Sequence, residues 1–494
     1  MKNYNQSLKK AKTFFDQNQF ESAQNCLLNV LKEFELNSAN KSNLYLLLAD
    51  INTKLNDFKK TNDYFSKYLE INPNNPKVLN LAANNFSKMR QYKKAEEHYL
   101  KAIDLKADYE GAIINLAVLY DNLGNKVNAI NFYKKAIEIN PNNFGVIFNM
   151  SKLEKKILDE KKIVLIRKYL DSNKYDFFNI ASGYFLLAEN ENRKKNFKDE
   201  VYFLEKANSY SFQSKEKINK QAVNYWMNII PKKFDNFSFI EKTKISEETK
   251  NLNPIFIVGL PRSGSTLTET IISSGKNNIL SFGESNLVNW SILNTHRKAL
   301  FNEDLSIVLD IDLIKNKLLN SYNNLYFEEE NRNIRFIDKS LENFYYINLI
   351  LKIFPNAKFI HTYRNLEDNI FSIYKEFLHK ISWSHSLENI LYYIDNYLKV
   401  IKKIKINYPD SIISVSLEEL TANPKDISED IFNFCNLEWD ANCLNFQKRK
   451  NLFSSTASNN QIRAGIQNYN NKKYENYHFL LNNYKSKYKW LKSI

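Results

Sequence analysis

Glycine and proline are scarce, nine of each in 494 residues, while Asn, Lys, Ile, Phe and Tyr are abundant throughout. Local turn signals are thin as a result, so any concentration of glycine carries information. Cysteine is scarcer still, and Cys26, Cys435 and Cys443 leave no disulfide framework and no paired zinc-type spacing. Cys435 and Cys443 lie near enough in sequence to pair but read as ordinary packing thiols. No window offers the roughly 18 uninterrupted apolar residues of a membrane helix. The opening "MKNYNQSLKKAKTFFDQNQF" goes straight into a charged amphipathic pattern, without an apolar leader core or a small-residue cleavage site. A soluble cytoplasmic protein is the expectation. Acid is the minority charge: 55 Asp+Glu against 70 Lys+Arg leave +15, which suits either an acidic partner or a basic solvated surface. No basic-aromatic module accompanies that charge, so no nucleic acid is expected as partner. The length calls for two or three domains.

What is present in the first half is a period. Ala49, Ala83 and Ala117 lie 34 residues apart, as do Phe65, Tyr99 and Tyr133, and Ala95 with Ala129. "EINPNNP" at 70–76 returns as "EINPNN" at 138–143, with "DLKADY" at 104–109 in the slot between. Small residues where two helices touch and a Pro-containing turn closing each unit resemble the tetratricopeptide repeat, an α-solenoid. Each helix pair has an apolar stripe that it cannot bury alone, so neighbours must stack. The first copy is out of step by four residues, since Ala23 to Thr61 spans 38, which reads as an insertion. Two later helices, "GYFLLAENE" and "NFKDEVYFLEKAN" at 183–208, keep the character of the repeat without its register. The array is placed at 1–215 and a connecting helix and linker at 216–253, with the polar run 242–253 as the linker proper. Such arrays usually present a concave protein-binding surface, so a protein partner is expected there.

Four of the nine glycines fall between 259 and 283. Residues 254–272 read "PIFIVGLPRSGSTLTETII": a buried-type apolar run, a glycine turn, then a helix entered through Ser and Thr. A nucleotide triphosphatase loop would run Gly, four residues, Gly, Lys, Ser/Thr. Gly259 and Gly264 are in register and Thr266 supplies the hydroxyl, but Ser265 stands where the lysine belongs. The backbone N–H groups of Ser263, Gly264, Ser265 and Thr266 would point into the turn at a positive helix end, which makes an anion site. Arg262 is the nearest cation, and its planar fork suits a sulfuryl or phosphoryl group. The run is expected to open a P-loop-type α/β domain with a parallel sheet at 254–494.

"PRSGSTL" resembles the 5′-phosphosulfate loop of sulfotransferases, which holds 3′-phosphoadenosine 5′-phosphosulfate (PAPS) and needs neither a triphosphate nor a metal. That family grips the 3′-phosphate with an arginine leaving the next core strand and a serine eight residues later. "AKFIHTYRNLEDNIFSIYK" at 357–375 supplies Arg364 and Ser372 at that spacing. "SIISVSLEELTANP" at 411–424 resembles the strand, acidic turn and Pro near the family's C-terminal end. Within the family the likeness is to tyrosylprotein sulfotransferases and to bacterial sulfotransferases that carry tetratricopeptide repeats. It extends over about 250–480. By that resemblance "SFGES" at 281–285 makes Glu284 the general base, and "FIDKS" at 336–340 puts Lys339 on the sulfate. "TASNNQIRAG" at 456–465 makes Ser458 a catalytic contact, with Arg463 and Lys473 as further cofactor contacts. Only one glutamate follows Gly283, where the tyrosylprotein enzymes have two in a row.

The resemblance implies transfer of a sulfuryl group to an acceptor hydroxyl, with peptides or proteins favoured and a tyrosine among the candidates. Arg262, Lys339 and Ser458 would stabilise developing charge. A P-loop kinase is the rival enzyme class and needs a basic residue at 265 or a metal-holding acid. A repeat-driven interaction protein with a vestigial nucleotide domain is the non-enzymatic rival. His361, inside an apolar strand, and His385, beside Trp383, read as packing histidines and stand behind Glu284 as bases.

Overall fold

The computed structural model describes residues 2–172, 176–240, 252–277, 279–325, 335–449, 452–469 and 472–492. Residues 242–251 of the expected linker lie outside these. Compactness divides the chain into Met1–Pro141 with Leu319–Arg332, and Asn142–Leu318 with Asn333–Ile494.

The first unit carries the period. Helices Ser38–Lys54, Phe58–Ile71, Pro76–Lys88, Tyr92–Leu105, Glu110–Leu123 and Lys126–Ile139 follow one another through short turns. Ala49, Ala83, Ala95, Ala117 and Ala129 are all fully buried, which lets helix axes approach closely, and Phe65, Tyr99 and Tyr133 fill the space beside them. Asn75 opens its helix by accepting from the Val78 N–H ahead of Pro76. Tyr109 takes that slot in the next copy, and no side-chain cap forms. The four extra residues of the first copy are absorbed as one added helical turn: Ser38–Lys54 has 17 residues, against 13 in Pro76–Lys88 and 14 in Glu110–Leu123.

Among the described residues the second unit holds two parallel sheets. Strands β1 (Phe237–Ile240) and β4 (Ile307–Asp310) pair with each other. The main sheet has β2 (Ile255–Gly259), β3 (Leu280–Ser281), β5 (Phe336–Asp338), β6 (Lys358–Tyr363) and β7 (Ile412–Ser416) in the order β3-β5-β2-β6-β7. All four pairings are parallel, and β2 is wholly buried, as its unbroken apolar run requires. The strand order reverses at β2, so the loops leaving β2 and β6 part there and open a crevice at the carboxyl ends of the strands. Cys435 and Cys443 are free and packed in the core beneath this sheet.

Helices Phe177–Arg193 and Phe197–Gln213, repeat-like in sequence, belong to this second unit. They pack around the segment that follows the helix Leu366–Tyr374. Phe377 meets Phe185 at 4.6 Å and Phe148 and Phe178 at 5.4 Å between ring centres. Among the described residues no helix is long and apolar enough to cross a membrane.

Candidate active site

The loop after β2 is shaped by two close approaches. A Cβ on Gly259 would lie 2.3 Å from the carbonyl oxygen of Thr362 on β6, and one on Gly264 would lie 2.9 Å from Cδ1 of Leu417. Gly264 also sits at φ 93, and as N-cap of helix Ser265–Ser274 it offers no side chain to the first amides. Those N–H groups have no intrahelical partner and meet the positive end of the helix dipole. Arg262 adopts φ 66, a left-handed conformation uncommon for a non-glycine residue. The surroundings hold it there: Arg364 Nη1 donates to the Arg262 carbonyl at 3.2 Å, and Asn369 Nδ2 to that of Pro261 at 2.7 Å. The Arg262 guanidinium is thereby aimed across the loop mouth. It donates to Ser458 Oγ at 2.7 Å, to Ser372 Oγ and Gln461 Oε1 at 3.4 Å, and lies 3.7 Å from the Glu376 carboxylate.

A second cationic cluster follows β6. Arg364 donates through Nη2 to the Tyr469 hydroxyl at 2.7 Å and approaches Asp368 at 3.6 Å, while its buried Nε has no hydrogen-bond partner among the described residues. Tyr474 closes over it. Burial alone would raise the Tyr474 pKa, but Lys473, the Ser372 hydroxyl, Arg364 and Arg262 outweigh it, leaving that phenol below the usual tyrosine range.

The third cluster is acidic around one lysine. Lys339, which follows β5, is 0% exposed, and its ammonium lies 2.8 Å from Glu284 and 3.4 Å from Glu269. Burial opposes its charge, the two carboxylates restore it, and the pKa ends above the lysine range. Glu284 is open at its other side, 57% exposed, so solvent screens part of its attraction to neighbouring cations. Partial desolvation on the side that faces Lys339 pushes its carboxyl up, and Lys339, Lys380 and Arg262 together bring it below the ordinary glutamate value. Next to it, burial pushes Glu342 up to about 7, against its own backbone hydrogen bond and with the charge of Glu284 adding to the rise.

The first two clusters and Glu284 share one cavity of about 570 Å³. Of the residues singled out in sequence, Arg262, Gly264, Ser265, Thr266, Glu284, Arg364, Ser372, Ser458 and Lys473 line it. The Ser263 hydroxyl turns away, bonded to Leu260 O at 2.7 Å and Thr362 Oγ1 at 2.8 Å, so only its backbone faces the loop. Lys339 stands behind Glu284 rather than in the wall. Arg463 braces its own loop, donating to Asn459 Oδ1 at 3.0 Å and Leu452 O at 2.9 Å.

Residues 254–441 match the model of the sulfotransferase family, and residues 8–76, 76–109 and 112–143 match models of the tetratricopeptide repeat. The chain carries a sulfotransferase-family domain behind tetratricopeptide repeats. An uncharacterized protein of Aquifex aeolicus (strain VF5) is 29% identical over 306 residues, covering 58% of this chain. The chain spans 38% of the length of that curated relative. The sulfotransferase domain of the Synechococcus PCC 7002 olefin synthase is similar at 18% identity and TM-score 0.31, covering 47% of this chain and 91% of that one. Pseudomonas aeruginosa pilF is similar at 20% identity and TM-score 0.30, covering 43% of this chain and 90% of that one.

Several groups in the sulfotransferase-family domain carried no sequence signal. An Asp-terminated strand does stand beside β2, but Asp338 is filled by Ser285 Oγ at 2.8 Å, the Ser340 N–H at 2.8 Å and Asn343 Nδ2 at 3.2 Å. It orders the loops that carry Glu284 and Lys339. Glu269, Glu376, Tyr469 and Tyr474 were missed because nothing local marks them among so many Glu and Tyr residues. Asp368, on the first turn of the helix that follows Arg364, carried no local mark either. The two histidines lie outside the cavity wall. Burial and then Lys405 push His361 down to about 3, and it is bonded to Tyr397 and Ser414. Burial and then His379 push His385 down to about 4, where it packs against Phe212.

Proposed function

We propose that the cavity binds PAPS and that the domain transfers its sulfuryl group to a hydroxyl acceptor, with a peptide or protein, tyrosine included, as the favoured class. The repeats then serve to present a protein partner. One observation carries this reading: a helix N-terminus and a separate cationic cluster line a single cavity. The helix end at Gly264, which has no side-chain cap, suits the phosphosulfate, and Arg364 with Ser372 and Lys473 in the same wall suits a second phosphate on the ribose. A triphosphate nucleotide has no group for that second position.

When bound, the donor supplies a sulfuryl group whose bond to phosphate oxygen breaks as the bond to the acceptor oxygen forms. The chain's residues do the rest. Glu284, kept ionised at neutral pH by Lys339, accepts the acceptor's hydroxyl proton as that oxygen loses electron density. Arg262, braced by Ser458, and the Ser265 and Thr266 amides take up charge on the departing phosphate oxygen. Lys339 holds Glu284 in place. Rate enhancement then comes mainly from positioning and preorganised charge.

Calorimetry tests the reading. Adenosine 3′,5′-bisphosphate is expected to bind over tenfold more tightly than AMP, since each lost charge-assisted contact is worth roughly 1.5–3 kcal/mol. Equal binding would sink it. Turnover is expected to survive EDTA, and rescue of a chelated enzyme by Mg²⁺ would favour a kinase.

A further inference from the structure

Helix Phe197–Gln213 contributes a carboxylate that reaches the donor cavity indirectly. Glu200 is 2% exposed. One of its oxygens lies 2.8 Å from Lys375 Nζ. The other accepts from the Tyr477 hydroxyl at 2.6 Å and from Asn192 Nδ2 at 2.9 Å. The Lys375 ammonium also bonds the Tyr477 hydroxyl and lies 3.9 Å from that ring's centre. Both partners sit three residues from a cavity wall. Lys375 caps the helix that carries Ser372, and Tyr477 follows Tyr474, whose ring lies 6.4 Å from its own. The same helix makes a second tie to this place, Asn208 Nδ2 donating to the Tyr374 carbonyl at 3.1 Å.

A buried ion pair is a poor way to gain stability, because desolvating two charges offsets most of their attraction. What a fully satisfied network does supply is a single rigid arrangement of the groups it joins. Here the joined groups are the helix bearing Ser372 and the segment bearing Tyr474, which approach the cavity from elements about a hundred residues apart in sequence. We propose that Glu200 is a positioning residue for the donor site: through Lys375 and Tyr477 it sets Ser372 and Tyr474 at the spacing that a nucleotide 3′-phosphate requires. The proposal rests on the reading of the cavity as a PAPS site. It also makes a repeat-like helix part of that site.

The test uses the full chain with adenosine 3′,5′-bisphosphate as the probe, alongside PAPS turnover. Glu200→Gln keeps the shape and removes the charge that holds Lys375, and is expected to weaken bisphosphate binding about tenfold. The KM for donor should rise in parallel, with kcat at saturating donor unchanged within about twofold, as for a group whose effect is equal in ground and transition states. Tyr477→Phe removes one hydroxyl and no charge, and should weaken binding about threefold with the same split. It carries the test by itself if Glu200→Gln does not fold. Variants that bind the bisphosphate like wild type would overturn the proposal. So would a fall in kcat with affinity and KM unmoved, which is what loss of active fraction from a purely structural role produces. If wild type itself fails to prefer the bisphosphate over AMP, the donor reading falls first and this proposal with it.

Discussion

Two left-handed turns, one in each unit, show how differently the regions are constrained. Gly124 ends a repeat helix at φ 78, and Gly264 opens the helix Ser265–Ser274 at φ 93. In the repeats that conformation recurs every 34 residues, at Asn56 with φ 55 and Arg90 with φ 58, and side chains are accepted there. At Gly264 a side chain would run into Leu417. The repeat turn demands only a backbone angle, which Asn and even Arg can adopt at a modest cost. The cavity loop demands the angle and the space together. Positions in the repeats are therefore interchangeable along the period, while positions in the loop are each unique.

The sharpest way to extend this contrast is Glu284, which has no counterpart to replace it. Glu284→Gln is expected to lower the single-turnover rate at saturating donor by about 10²–10⁴ with little change in donor affinity. Arg364→Ala should do the reverse and mainly weaken donor binding. A Glu284→Gln enzyme within a few-fold of wild type would hand the proton to another group.

The turns themselves can be compared with one substitution. Gly264→Asn is expected to weaken bisphosphate binding by about tenfold, because Asn meets the angle but its Cβ would lie 2.9 Å from Leu417 Cδ1 and displace that side chain at the loop. Gly124→Asn should leave binding unchanged and shift Tm by no more than a few degrees. Equal effects at the two sites would show that the backbone angle alone governs both.

The smallest effect concerns pH. Glu342 binds its proton more tightly folded, at about 7, than unfolded, near 4.5. Between those values the folded state holds more protons, so this group withdraws stability as pH rises. Glu342→Gln removes that penalty. Its Tm should exceed that of wild type at pH 8, with the gap closing toward pH 5, and a parallel pair of melting curves would show that Glu342 is not held up in the native state.

The sequence alone determined what is local or periodic. The alanines at 49, 83 and 117 mark helix contacts because a solenoid repeats one local geometry. The run 255–274 spells strand, turn and helix because apolar run, glycine spacing and helical period are all short-range properties. Arg364 and Ser372 were marked only by resemblance to a family motif, and they lie just past one strand end and on the helix after it. The tertiary structure decided which distant groups meet. The enclosure of Lys339 by Glu269 and Glu284, the filling of Asp338 by Ser285 and Asn343, and the approach of Glu376 to Arg262 each join segments that belong to or follow different strands. So does the membership of the 177–213 helices, which look like repeats but share a compact unit with the sheet. A helix pattern reports which face is apolar but not what that face will cover, and a carboxylate reports its charge but not its partner. Those are settled only when the parallel sheet brings the ends of β2, β3, β5 and β6 to one edge.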